Sequence, residues 1–199
     1  FEEVFAAYKK QVTYFVEMLA KQEELEYKIA GENAAFIFFS MLFDGCMERG
    51  KGIFSGGAPY LGGTLETYGN TNTADSLTAI KHLIFDEKCL TGERMLEALK
   101  VNFKGYDGER KMMLDAPKFG NDDAIADDIA QMQHGFVCNI IREQKRHTSL
   151  HSYLAVIINN SANTTLGLLT NALPDGRSAG QPLANANMPS SGSDRKGIT

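Results

Sequence analysis

The chain has 199 residues, 43% of them hydrophobic, a proportion typical of a soluble globular protein. Its 25 acidic and 20 basic residues give a formal net charge of −5 without a basic stripe, which argues against nucleic acid as a partner. No stretch approaches the roughly 18 apolar residues of a membrane span, and three widely spaced cysteines argue against a disulfide framework. We therefore expect a cytoplasmic protein that does not bind a membrane.

The chain begins with a helical pattern. Apolar residues recur at steps of three and four, which predicts an amphipathic helix. This stripe comprises Phe5, Tyr8, Val12, Phe15 and Leu19. The next segment, 34–49, is apolar nearly all round in its first half and predicts one helix buried within a large protein. Because the sequence opens on Phe1 without a methionine and stops at Thr199 without a tail signal, we expect both ends to be cuts in a longer polypeptide.

The middle of the chain combines a glycine-rich loop with capped helices. Segment 51–69 holds six glycines and few helix formers, so a loop is predicted there. Three helices should follow, with Asn72 or Thr73 capping the first, Thr91 the second and Asp107 the third.

A long helix is predicted from about Asp122 to Arg146, because acidic residues occupy its opening turns and basic residues its last ones. Its buried stripe is expected to consist of Ile125, Ile129, Met132, Phe136 and Ile140. The short, uncharged run from Tyr153 to Ile158 is typical of a strand buried on both faces. No Cys-x-x-Cys or Cys/His cluster has ligand spacing, so no metal site is predicted.

Five stretches, taken in chain order, carry a resemblance to a known family. They are Asp44 to Gly52, Gly56 to Tyr60, Asn72 to Leu90, Phe103 to Asp123, and Asn171 to Gly197, the last of which contains Pro174-Asp175-Gly176-Arg177. In this order they resemble the part of the glycyl radical enzymes that lies between the catalytic cysteine and the radical glycine. That family includes pyruvate formate-lyase and its dehydratase, decarboxylase and succinate-synthase relatives.

The resemblance implies an α/β fold, in which residues 1–199 form a mostly helical segment of a ten-stranded barrel with one or two inner strands. The segment would be part of a single pyruvate formate-lyase-like catalytic domain, with no independent boundary. Cysteine and radical glycine would lie outside it, so no catalytic residue is predicted here and the isolated segment should be inactive. Cys46 precedes Glu48 as a catalytic cysteine would, but its helical position favours a small buried hydrophobe, as for Cys89 and Cys138.

The family's chemistry adds further expectations. No cofactor would be bound by this segment. An activating enzyme that uses S-adenosylmethionine and an iron-sulfur cluster would install the glycyl radical elsewhere in the parent. The parent would be an oxygen-sensitive enzyme of anaerobes, a homodimer, and would act on a small molecule.

Substrate-binding candidates come from two places. Glu66, in a loop that the resemblance places at the barrel mouth, could hydrogen-bond a substrate hydroxyl or carry a proton, with Thr64 and Tyr68 assisting. A solvated loop glutamate is the alternative for Glu66. Val156 and Ile158 would share one face of the late strand and touch substrate, with core packing as their alternative.

The stretch from Tyr60 to Tyr68 looks closer to the arylacetate decarboxylases than to the glycerol- and choline-type eliminases. A lyase or decarboxylase of a small arylcarboxylate is therefore predicted for the parent. A glycyl radical dehydratase, a formate-lyase and a succinate-adding synthase remain open. So does a non-catalytic fragment or split subunit with a structural role.

Overall fold

The computed structural model describes residues 1–34, 36–158 and 160–196. These residues are mostly helical, with one small sheet. In chain order the elements are α1 (Glu2–Asn33), α2 (Ile37–Leu42), α3 (Cys46–Arg49), a 3₁₀ turn (Ile53–Ser55), β1 (Gly63–Glu66), α4 (Asn70–Ile80), a π-helical turn (Lys81–Asp86), α5 (Gly92–Lys100), α6 (Asp107–Asp115), α7 (Ala124–Glu143), a second 3₁₀ turn (Gln144–Arg146), β2 (Tyr153–Val156) and α8 (Ala162–Leu169).

The residues divide into two compact units. The first contains Phe1–Ala6, Thr67–Gly135 and the residues from Ile157 onward, and the second contains Ala7–Glu66 and Phe136–Val156. Each has its own apolar cluster. That of the first unit comprises Ala79, Leu83, Leu90, Met95, Ala98, Phe103, Met113, Ala116 and Ala172. That of the second comprises Val16, Ala20, Val137, Ile141, Leu150 and Tyr153.

The predicted helix at the start is α1, but its buried stripe is only partly the expected one. Phe5 is buried, whereas Phe15 is 55% exposed and Leu19 is exposed as well. Val16 and Ala20 are buried in their place. Small and β-branched side chains allow closer approach of neighbouring elements than phenylalanine and leucine do, so they occupy the packed side.

The single buried helix predicted for 34–49 is wrong. Phe36 has a left-handed backbone, Phe43 is extended and Gly45 has φ 88°, so the segment forms two short helices. Cys46 begins α3 and is buried, as a small hydrophobe should be. The large apolar side chains of α2 are exposed in this chain, namely Ile37, Phe38, Phe39, Met41 and Leu42.

The predicted loop 51–69 contains strand β1, which sequence reasoning missed. Gly63 begins this strand and is buried, and a Cβ atom there would lie 2.6 Å from the ring of Tyr153. The glycine is therefore required by close packing and is not a sign of loop structure.

Strand β1 pairs with β2 in parallel, with Gly63 opposite Tyr153 and Glu66 opposite Val156. Parallel strands need a long crossover, and residues 67–152 supply it here. The predicted late strand exists but ends at Val156, two residues early. Within this chain only one face of the strand is covered, because Tyr153 is buried whereas Leu154 is 52% exposed.

The predicted helix caps are only partly correct. Thr91 does cap α5, since its Oγ1 accepts a hydrogen bond from the Arg94 amide at 3.2 Å. Asp107 is the first residue of α6, and the N-cap position before it is Tyr106, whose side chain forms no cap hydrogen bond. Asn72 lies within α4, which begins at Asn70, and its buried side chain has a different use that is described below.

Helix α7 and the 3₁₀ turn after it match the predicted long helix closely. Ile129 is buried as expected, but Ile125 and Met132 are exposed. Ala126 and Gln133 are buried instead. A buried glutamine is unexpected from sequence because hydropathy alone assigns amides to the outside.

Cys89 is exposed, which contradicts the prediction that it is buried, and Cys138 on α7 is half-buried. Cys89 follows the π-helical turn, and its thiol contacts the Leu83 carbonyl at 3.7 Å.

Candidate functional site

The two-stranded sheet has a packed face and an exposed face. Leu65 and Ala155 pack against the apolar cluster of the second unit, on the side of Tyr153. Because side chains alternate along a strand, the neighbouring residues point the other way. The exposed face therefore carries Thr64 and Glu66 from β1, and Leu154 and Val156 from β2.

This geometry brings together three of the predicted site residues. Glu66 is the last residue of β1, directly in register with Val156, the last residue of β2. Thr64 lies two residues before Glu66 on β1, so its side chain is on the same face. The position of Glu66 in a strand corrects its prediction as a loop residue. Leu154, opposite Thr64, belongs to the same face and was missed, because sequence reasoning began this face only at Val156.

The other two predicted site residues lie in the first unit. Tyr68 is half-buried, and its hydroxyl donates a hydrogen bond to Asn160 Oδ1 at 3.2 Å. Ile158 follows the end of β2, so strand alternation no longer fixes its direction. The strand periodicity on which the prediction for Ile158 depends therefore does not extend to this residue, and its contact with substrate stays a prediction.

The edge of β1 is held by a carboxylate that sequence reasoning did not single out. Glu23 Oε1, from α1, accepts hydrogen bonds from the Thr64 amide at 3.3 Å and from the Tyr27 hydroxyl at 2.8 Å. Burial, followed by this bond to Glu23, raises the pKa of Tyr27 to about 12. The Tyr27 hydroxyl therefore stays protonated and remains a hydrogen-bond donor throughout the physiological pH range.

The first unit contains a buried polar network that was also missed. The side chain of Asn72 donates to Asp175 Oδ2 at 2.8 Å and to Ser190 Oγ at 3.2 Å. Its Oδ1 accepts from the Ala184 amide at 2.7 Å. Asn121 similarly accepts from the Arg195 amide at 2.7 Å. These amides tie α4 and the loop after α6 to the turn-rich residues 171–196.

Ionisable groups line the same region. Asp75 has no exposed surface, and its Oδ1 accepts a hydrogen bond from the Phe119 amide at 2.9 Å. Burial raises the pKa of Asp75 to about 7, although the Phe119 bond and Lys118 oppose this. Burial also lowers the pKa of Lys118 and raises that of Asp175. All three border a cavity of about 920 Å³.

Among residues 1–34, 36–158 and 160–196, no group of three or more His, Cys, Asp or Glu side chains is placed to hold a metal ion. Over the same residues, no helix has both the length and the apolar content that crossing a bilayer requires.

Comparison with known proteins identifies the class. Residues 1–167 match the family model described as "Pyruvate formate lyase-like". Trans-4-hydroxy-L-proline dehydratase of Clostridioides difficile is 30% identical over all of this chain and 25% of its own length. The glycyl radical subunit of 4-hydroxyphenylacetate decarboxylase from C. difficile strain CD196 is 27% identical, over all of this chain and 24% of its own length.

A solved structure shows the same relation. The Roseburia inulinivorans protein described for 1,2-propanediol dehydration superimposes with a TM-score of 0.92 at 34% identity, over 98% of this chain and 26% of its own. The chain thus has the fold of part of a glycyl radical enzyme.

This chain belongs to the pyruvate formate lyase-like family of glycyl radical enzymes. It spans about a quarter of the length of the relatives it matches. The predicted family is therefore confirmed, and the described residues supply a helical part of the fold with one parallel strand pair.

Proposed function

We propose that the parent protein is a glycyl radical lyase of a small organic molecule and that Glu66 contacts its substrate. The observation that supports this proposal is the placement of Glu66 on the exposed face of the sheet, beside Val156 and away from the apolar cluster. A carboxylate beside an apolar side chain is a common arrangement in ligand sites, where the polar group orients the ligand.

One candidate reaction is the decarboxylation of an arylacetate or a similar small carboxylate. Glu66 would accept a hydrogen bond from a substrate hydroxyl, or carry a proton to or from the reacting molecule. The observation that favours this reaction is a decarboxylase subunit among the relatives. The resemblance predicted from the sequence of Tyr60 to Tyr68 points to the same reaction.

The second candidate reaction is dehydration. It is favoured by the relatives, which include a hydroxyproline dehydratase and a protein described for 1,2-propanediol dehydration. In this reaction Glu66 would accept a hydrogen bond from a substrate hydroxyl, so the same carboxylate serves either chemistry. The name of the reaction then depends on residues contributed by the rest of the parent.

The proposal requires partners for this chain. A catalytic cysteine and a radical glycine would come from other parts of the parent, and an activating enzyme with S-adenosylmethionine and an iron-sulfur cluster would generate the radical. We expect the parent to be a homodimer, to be oxygen-sensitive and to work in the cytoplasm. The isolated chain should not turn over substrate, because Glu66 cannot replace a hydrogen-abstracting sulfur.

The test uses the parent protein with its activating enzyme under anaerobic conditions. Activation should produce a glycyl electron paramagnetic resonance doublet. Release of CO₂ from phenylacetate or 4-hydroxyphenylacetate would identify a decarboxylase, and an aldehyde formed from 1,2-propanediol would identify a dehydratase. Glu66→Gln should keep the doublet and lower kcat about 100-fold or more.

Glu26→Gln is the matched control, since Glu26 is an exposed carboxylate of the second unit on α1. It should leave kcat unchanged. A parent without a doublet would remove the enzyme proposal, and full activity of Glu66→Gln would remove the assigned role of Glu66.

A further inference from the structure

Two buried carboxyl groups of the first unit differ in how their oxygens are bonded. Asp175 accepts a hydrogen bond on each oxygen, at 2.8 Å from the Asn72 side chain and at 2.8 Å from the Arg177 amide. Asp75 has no exposed surface and accepts a hydrogen bond from the Phe119 amide on Oδ1. Its Oδ2 is buried and, among the described residues, has no partner at hydrogen-bonding distance and angle. One carboxyl is thus bonded on both oxygens and the other on one.

The buried Lys118 ammonium does not form an ion pair with Asp75. Its Nζ donates hydrogen bonds to the carbonyls of Met113 at 2.6 Å and Ala116 at 3.2 Å. In the part of the chain that the structure describes, no ion pair within 4 Å includes Asp75. A charged carboxylate is costly to bury without an ion pair and with one oxygen unbonded. The surroundings of Asp75 therefore favour its neutral, protonated form.

A protonated carboxyl group is a hydrogen-bond donor and needs an acceptor. Because Oδ1 of Asp75 accepts from an amide, the proton belongs on Oδ2. The same cavity is bordered by Asn185, whose Oδ1 is also buried and has no partner among the described residues. Asn185 follows Ala184, whose amide donates to Asn72 Oδ1 at 2.7 Å, and Asn72 lies three residues before Asp75 on α4. A single proton on Asp75 thus supplies the donor that these two buried oxygens lack.

We propose that Asp75 is a proton-binding site, in which the neutral carboxyl donates its Oδ2 proton to Oδ1 of Asn185 and so joins α4 to the turn-rich residues 171–196. Loss of the proton removes the donor. The hydrogen bond is therefore made at low pH and is lost as the pH rises. This inference does not depend on the proposed function, because it concerns side chains of the first unit and needs neither substrate nor radical.

The groups that face Asp75 determine where the proton is lost. Burial has the largest influence and raises the pKa of Asp75 to about 7. The charge of Asp175 acts in the same direction, whereas the Phe119 amide, the Lys118 ammonium and the Ser190 hydroxyl favour the charged carboxylate. The remaining charged side chains around the cavity are Arg110, Arg177, Asp194 and Arg195. The change of the hydrogen bond is expected near neutral pH.

The experiment records infrared spectra of the parent, without activation, from about pH 5 to about pH 9. A protonated carboxyl group has a carbonyl stretching band that is distinct from those of carboxylates and amides. One such band should disappear with a midpoint of about pH 7, and this transition should be missing in Asp75→Asn. Asp128→Asn is the matched control, because Asp128 is an exposed carboxylate of the first unit on α7. It should leave the transition unchanged.

Two further variants should move the midpoint in opposite directions. Asn185→Ala removes the acceptor of the neutral carboxyl and should lower the midpoint by about one pH unit, which corresponds to one hydrogen bond. Ser190→Ala removes a hydroxyl that favours the charged carboxylate and should raise the midpoint.

Identical spectra for the parent and Asp75→Asn would overturn the proposal, since they would show that Asp75 is charged throughout. That is the result expected if the Asn185 amide turns its Nδ2 toward a carboxylate. An unchanged midpoint in Asn185→Ala would overturn the assigned acceptor, as would a lower midpoint in Ser190→Ala, which would make the serine the acceptor. If Asp75→Asn gives no soluble protein, the opposite shifts in Asn185→Ala and Ser190→Ala still test the proposal on the band of the unsubstituted carboxyl.

Discussion

The two compact units differ in what they bury. The second unit buries mainly apolar side chains around Tyr153, whereas the first unit buries, in addition to its apolar cluster, charged and amide side chains such as Asp75, Lys118 and Asn72. Burial of a charge is costly unless the group is hydrogen-bonded or paired. The first unit thus combines an apolar cluster with buried polar side chains that order its backbone, whereas the second relies mainly on its apolar cluster.

The reason lies in the last part of the first unit. Among the described residues after α8, no helix or strand occurs, so few backbone groups are paired in regular ladders. Side chains replace those ladders. The guanidinium of Arg177 donates hydrogen bonds to the carbonyls of Gly167 at 2.7 Å and Asn171 at 2.9 Å. Irregular backbone is thus kept in one conformation by groups that can form several bonds at once.

The largest effect is expected from removing the amide that joins α4 to this irregular segment. Asn72→Ala leaves Asp175 and the Ala184 amide without their Asn72 partner, at a cost of about 2–4 kcal/mol in local stability. Hydrogen exchange of amides 171–196, followed by mass spectrometry in the parent, should accelerate accordingly. Asn33→Ala, an exposed amide in the second unit, is the control and should change exchange little. Unchanged exchange in Asn72→Ala would show that the apolar cluster alone orders this segment.

A second, smaller effect depends on pH. The pKa of Asp75 is raised from 3.8 to about 7, so the folded state holds a proton that the unfolded state releases between about pH 4 and pH 7. Stability from this group is therefore greatest at low pH and falls as pH rises toward 7, by roughly 2 kcal/mol between pH 5 and pH 8. In Asp75→Asn that part of the pH dependence should disappear.

The measurement for Asp75 is the same exchange experiment at pH 5 and pH 8, corrected for the intrinsic exchange rate. The groups that face Asp75 are Lys118, Asp175 and Ser190, and they remain in the variant. Equal pH dependence in the parent and in Asp75→Asn would contradict the assignment of this titration to Asp75.

The smallest effect is expected in the second unit. Glu23→Ala removes the acceptor of the Thr64 amide and of the Tyr27 hydroxyl, which should weaken the edge of β1 by about 1 kcal/mol. Exchange of the amides of residues 62–66 should rise several-fold, and Glu26→Ala should leave them unchanged. If Glu23→Ala lowered local stability as much as Asn72→Ala does, the contrast between the two units would be wrong. Side-chain hydrogen bonds would then be equally important for stability in both units.

Regular periodic patterns can be predicted from this sequence, and local exceptions cannot. Helix α7 is recognisable because charge order and apolar spacing agree over many turns, and the Thr91 cap is recognisable because a cap acts locally. The break at Gly45 escapes prediction because the apolar run continues across it. Strand β1 is not predicted because Gly63 suggests a loop, whereas its real cause is close packing against Tyr153, which is distant in sequence.

The candidate site likewise contains residues that the sequence predicts and contacts that it does not. Sequence reasoning singles out Glu66 and Val156 separately, and their register as neighbours follows only from the parallel pairing of two distant segments. The buried network around Asn72 involves partners more than 100 positions away, so no local pattern encodes it. A sequence contains the identity of such residues but not their distances.

The close fit at Gly63 restricts which sequences can build this sheet. The ring of Tyr153 occupies the volume that any side chain at position 63 would need. In a library randomised at this codon and selected for folded protein, glycine alone should survive while tyrosine occupies position 153. Other residues should be recovered only when a smaller residue at 153 opens the space and the side chain of Leu150 moves, because its Cδ1 would lie 2.8 Å from the same Cβ atom. Positions 63, 150 and 153 therefore restrict one another.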